Sequence, residues 1–219
     1  MAAEKRILLF VDATVRPSGQ SRTGKLCGAY LEAFCAAHPE YEVHRLELSK
    51  ENLLPNCQED LAEREHLIRE GKMDSPVFCY AREFAQADHI LIGAPYWDLS
   101  FPALLKVYIE KICVGGITFV YTETGVKPLC RAGRMTYLTT SGGMIGDMDF
   151  GSEYLSGLCS ALFGIPVFER AAAEGLDIDG ADCSQLMEEA CSCVHRMAQV
   201  GKKSFAAEHD RDRNGRRPG

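Results

Sequence analysis

Hydrophobic positions fall into short runs separated by longer stretches of helical period. Residues 5–11 form an almost continuous apolar run of strand length, ended by Asp12. Such runs suit a strand covered on both faces, as in a parallel sheet. Residues 41–48 alternate Val43, Leu46 and Leu48 with polar positions, which predicts a second strand near a sheet edge. Residues 89–95, 134–140 and 165–171 give three more strands, the first two running into breaks at Pro95 and at Ser141, Gly142 and Gly143. Helices are expected between them, at 22–37 with Leu26, Tyr30, Leu31 and Phe34 on one stripe, and at 53–72, 78–87, 101–114, 154–163 and 181–205. A short strand at 117–121 is followed by a turn signal at Thr124 and Gly125. Strand and helix alternate without a linker or repeat, which predicts one doubly wound α/β domain: five parallel strands, with helices on both faces. That domain is expected to span residues 1–205. The stretch 206–219 is polar, ends in Pro218 and Gly219, and is expected to be a disordered tail.

Charge and cysteine usage narrow the partners. The formal charge is -7, and the one basic concentration, from Arg211 to Arg217, is diluted by Asp210 and Asp212. Nucleic acid is therefore not expected as a partner, since phosphate contacts need clustered cations. No run reaches the roughly 20 apolar residues of a membrane span, and no apolar stretch of a secretory signal follows the N-terminus. A cytoplasmic protein is the expectation. Ten cysteines occur without a Cys-x-x-Cys pair, which predicts free thiols in a reducing compartment. Cys191, Cys193 and His195 superficially suggest a metal, but helix positions two apart face different ways, so no metal site is expected.

Three strands end in loops of unusual chemistry, and in an open parallel sheet ligands bind beyond the carboxyl ends of the strands. The first loop, 12–23, leads into a helix and offers Arg16, Ser18, Ser21 and Thr23 together with free amides at a helix N-terminus. Convergent donors and the positive end of a helix dipole suit a phosphate, although Ser and Thr are also ordinary N-caps. Residues 19–25 match the first seven positions of a P-loop, but Leu26 stands where the magnesium ligand belongs, so nucleotide hydrolysis is disfavoured. The second loop sets Tyr96 and Trp97, the only tryptophan, between Pro95 and Pro102, where rings could pack on a flat heterocycle. The third, 139–143, brings small residues and exposed amides.

Residues 14–23, 94–99, 116–125 and 140–143 resemble, in order and spacing, the FMN-dependent NAD(P)H quinone oxidoreductases and azoreductases of flavodoxin-like fold. The stretch from Gly116 to Gly125 is the most specific of the four. The resemblance implies that Arg16, Ser18, Gln20, Ser21 and Thr23 hold the FMN phosphate. Pro95, Tyr96, Trp97, Asp98 and Leu99 would run along the isoalloxazine, and Thr140, Ser141, Gly142 and Gly143 would donate to its polar edge. Tyr121, with Trp97, would line a substrate pocket. It further implies a homodimer, NADH or NADPH as electron donor, a small-molecule acceptor, and no catalytic side chain, because the flavin carries the chemistry. Ala13 stands where the family often has serine, and Ser141 where some members have arginine. The competing expectation is a flavodoxin-type electron carrier without its own NAD(P)H activity.

Overall fold

The computed structural model describes residues 5–16 and 19–214. Strands β1 (Arg6–Asp12), β2 (Tyr41–Glu47) and β3 (His89–Gly93) join two later ones, β6 (Arg134–Thr140) and β7 (Val167–Ala173), in a single sheet ordered β2-β1-β3-β6-β7. All four neighbouring pairs are parallel. The order reverses between β1 and β3, which opens a crevice at their carboxyl ends.

The unbroken apolar runs follow from burial on two sides. Successive side chains of a strand point to opposite faces. On β1, Leu9 and Val11 enter one core with Ile90, Ile92 and Tyr137, whereas Leu8 and Phe10 enter the other with Leu91 and Leu138. The second core is closed by α1 (Arg22–Ala37) and by the long α6 (Cys183–Asn214). The first is closed by α3 (Cys79–Gln86), α4 (Ala103–Ile112) and α5 (Phe150–Leu158), the last continuing into a π-turn at Cys159–Phe163. Each fully buried Leu or Phe in these layers stabilises the fold by about 1.5–3 kcal/mol. Helix α1 approaches the sheet closely at Gly93, where a Cβ would sit 2.4 Å from Cys27 Sγ.

Several boundaries differ from the periodicity. α2 (Gln58–Arg69) starts after Pro55 rather than at 53, with Asp60 accepting from the Cys57 amide at 2.9 Å. α5 starts at Phe150 because Asp149 caps it, accepting from the Ser152 amide at 2.9 Å. The expected strand at 117–121 is one arm of an antiparallel hairpin outside the main sheet, β4 (Phe119–Thr122) with β5 (Gly125–Pro128). Its base is set by Thr118, whose hydroxyl donates to Ile112 O and accepts from the Val114 amide. α6 runs to Asn214, so the expected tail begins inside this helix, and residues 215–219 lie outside the described residues. All ten cysteines are free.

Candidate functional site

β1, β3 and β6 end side by side, and their loops enclose an open cavity of about 270 Å³. The loop after β1 supplies Thr14, Val15 and Arg16, and the start of α1 supplies Ser21, Arg22 and Thr23. Asp12 shapes this loop: buried, it accepts from the Thr14 amide at 3.0 Å and from the Thr14 hydroxyl at 2.6 Å. Ser21 is the N-cap of α1, accepting from the Gly24 amide at 3.0 Å. Its hydroxyl proton remains available, and the first turn's amides and the helix dipole face the same end of the cavity. Thr23 is buried and shares a 2.6 Å hydrogen bond with Thr140 Oγ1, tying the first loop to the third.

Pro95, Tyr96 and Trp97 form the opposite wall. The Tyr96 amide donates to Thr140 O at 3.0 Å, and its hydroxyl donates to Met148 O at 2.8 Å, so this ring is held at both ends. Trp97 and Ser100 exchange backbone hydrogen bonds of 3.0 and 2.8 Å around a two-residue turn. The turn residues Asp98 and Leu99 have φ of 49° and 66°. They stand at the rim, outside the cavity lining.

Thr140, Ser141 and Gly142 make the third side, with Leu176 and Asp177 beside them. Their backbone polarity is one-sided. The carbonyls of Ser141, Gly142 and Gly143 accept from Leu176, Asp177 and Gly175 at 3.1, 2.9 and 3.0 Å. Among the described residues, no hydrogen bond occupies the amides of Gly142 and Gly143. A Cβ on Gly142 would lie 2.5 Å from Asp177 Oδ2, so only glycine fits without moving that carboxylate. Arg22 donates to Asp177 Oδ1 at 2.7 Å across the mouth, which raises the Arg22 pKa.

Of the residues expected from sequence, this cavity gathers Arg16, Ser21, Thr23, Pro95, Tyr96, Trp97, Thr140, Ser141 and Gly142. Gly143 adjoins it, Gln20 is in the first loop but not in its wall, and Ser18 lies outside the described residues. Tyr121 projects from the β4–β5 hairpin, 74% exposed, and is not part of this chain's own cavity. Sequence reasoning missed Thr14, Val15, Arg22, Leu176 and Asp177. The loop after β7 carried no motif, and its pairing with residues 141–143 exists only in three dimensions.

Residues 6–196 match the model of a family described as having a flavodoxin-like fold. An FMN-dependent NADH:quinone oxidoreductase 2 of Clostridium acetobutylicum is 37% identical over 186 residues, covering 82% of this chain and 92% of that protein. An FMN-dependent NADH:quinone oxidoreductase of Clostridium perfringens is 34% identical over 198 residues, 90% of this chain and 98% of its own. The crystal structure of an azoreductase from Bacillus anthracis aligns with a TM-score of 0.76 at 25% identity, covering 89% of this chain and 99% of that one. In strand order and extent of likeness, the chain belongs to the flavodoxin-like fold family, alongside the FMN-dependent NADH:quinone oxidoreductases.

Proposed function

We propose that this protein is an FMN-dependent oxidoreductase that passes hydride from NADH or NADPH to quinone or azo-type acceptors. The observation that carries the reading is the polarity of the cavity at the carboxyl ends of β1, β3 and β6: cations and a helix N-terminus at one end, an aromatic wall, and a rim of unpaired amides. These suit a phosphate, a flat heterocycle and an electron-rich ring edge in turn. Bound FMN would supply the two-electron acceptance and release that no side chain here can perform. Arg16, Ser21 and the first amides of α1 would hold its phosphate, with Gln20 and Thr23 supporting that loop. Pro95, Tyr96 and Trp97 would flank the ring, with Asp98 and Leu99 fixing the turn beyond it. The Gly142 and Gly143 amides, preset by the 175–177 strand of contacts, would donate to the pyrimidine edge and stabilise negative charge developing there.

The same reading makes the protein a cytoplasmic homodimer. Trp97, Leu99, Met144, Met148 and Phe150 stand exposed in the loops and helix start around the cavity, more apolar surface than a lone site mouth needs. Tyr121 would then complete the substrate pocket of the second copy rather than of its own chain. Among the described residues, no helix is long and apolar enough to cross a membrane.

The test is to incubate the purified protein with excess FMN, remove free flavin, and record the spectrum. Retained flavin should bleach anaerobically with NADH or NADPH and return on adding menadione. Absence of retained flavin would overturn the reading. Flavin that is retained but reduced only by a separate reductase would make the protein an electron carrier instead.

A further inference from the structure

Asp12 poses an electrostatic difficulty for a phosphate site. It is 3% exposed, ends β1, and is hydrogen-bonded directly to Thr14, a wall residue of the cavity. A carboxylate held directly behind a wall residue of the cavity would repel a phosphate bound against that wall, since like charges closer than the screening length of about 8 Å still interact. An acceptor oxygen is needed in place, because its bonds to the Thr14 amide and hydroxyl turn the chain out of the strand so that residues 14–16 face the cavity.

Its remaining partner lies on the neighbouring strand. Arg45 Nη2 donates to Asp12 Oδ2 at 2.7 Å, and its guanidinium lies 5.5 Å from the centre of the Phe10 ring. The parallel register, Phe10 against Arg45 and Asp12 against Glu47, delivers the side chain along the sheet edge. Arg45 does not line the cavity. We propose that Arg45 is a positioning residue for phosphate recognition: acting through Asp12, it cancels the buried charge beneath the first loop and thereby sets the affinity for a phosphorylated ligand. The proposal rests on the FMN reading and adds to it a determinant outside the site.

Comparing FMN with riboflavin, which lacks the phosphate, tests it. Dissociation constants of both should be measured by flavin fluorescence quenching for the unaltered protein and three variants. In Arg45→Met, FMN affinity should fall about tenfold or more while riboflavin affinity stays within about twofold. Adding Asp12→Asn to Arg45→Met should restore FMN binding to within about threefold, since the amide oxygen still accepts from Thr14 while the charge is gone. Asp12→Asn alone should bind FMN at least as tightly as the unaltered protein, with riboflavin unchanged. Equal losses for both flavins in Arg45→Met, no loss for either, or failure of the double variant to recover would overturn the proposal. If the unaltered protein takes up neither flavin, the FMN reading itself falls, and this inference with it.

Discussion

At the scale of single residues, the Asp98–Leu99 turn is the most unusual feature. Two-residue hairpin turns with positive φ at both positions favour Asn and Gly, because a Cβ in the left-handed region meets the backbone. Leu99 holds φ of 66° and is 44% exposed, so burial does not account for it. Leu99→Gly should raise stability by about 1 kcal/mol in urea denaturation, because the penalty for a left-handed leucine is removed. The same change should weaken flavin binding if the strained turn keeps Trp97 against the ring. A more stable variant that binds flavin unchanged would deny the turn any role in the site. Nothing in the local sequence announces this turn, since an Asp-Leu pair is not a turn signal. Arg22 and Asp177 were equally invisible: 155 residues separate them, and each alone reads as an ordinary surface charge. Pro95, Trp97 and Gly142 were legible because aromatic, proline and glycine residues at strand ends restrict geometry locally.

Among the elements, the strands were easiest to read, for a physical reason. β3 is buried along its whole length, so its apolar run has no polar interruption to blur it. β5 is the opposite case: all four residues are exposed, with Gly125 and Pro128 among them, so it has neither periodicity nor propensity. Its existence depends on pairing with β4. The first residue of β3 also sets a pH dependence. His89 is 3% exposed, shares a 3.0 Å hydrogen bond with Thr136 Oγ1, and meets Tyr30 and Phe34 edge to face. Burial, reinforced by Arg134, lowers its pKa from 6.5 to about 3. The unfolded chain therefore takes up the proton first, so stability is intact above about pH 6.5 and declines as the pH falls towards 3. A loss of about 2 kcal/mol is expected by about pH 5. His89→Gln should lack most of that slope in denaturation curves across this range, whereas an unchanged slope would place the titration elsewhere.

For the whole molecule, the expected dimer is the main prediction. Met144, Met148 and Phe150 are 71%, 53% and 50% exposed on the loop and helix start beside the cavity. Light scattering coupled to size exclusion should give twice the 24.2 kDa chain mass. Replacing Met148 and Phe150 together by Lys should shift the protein to monomer, because buried charge at an interface core is strongly unfavourable. A monomeric unaltered protein would remove the basis for assigning Tyr121 to a partner's pocket. Parallel order and layer assignment were readable in the alternation of strand and helix. The dimer face was not readable in the hydrophobic pattern, because an exposed methionine in a sequence looks the same as a buried one, and the homodimer came only as what the family resemblance implies.

The pairing of residues 141–143 with 175–177 has a bearing on inhibitor search. With three successive carbonyls turned towards a neighbouring segment and two amides left open, that rim can donate but is poorly placed to receive. Competitors offering a lactam or imide oxygen there should be retained from a screen, and otherwise matched scaffolds presenting only N–H groups should drop out.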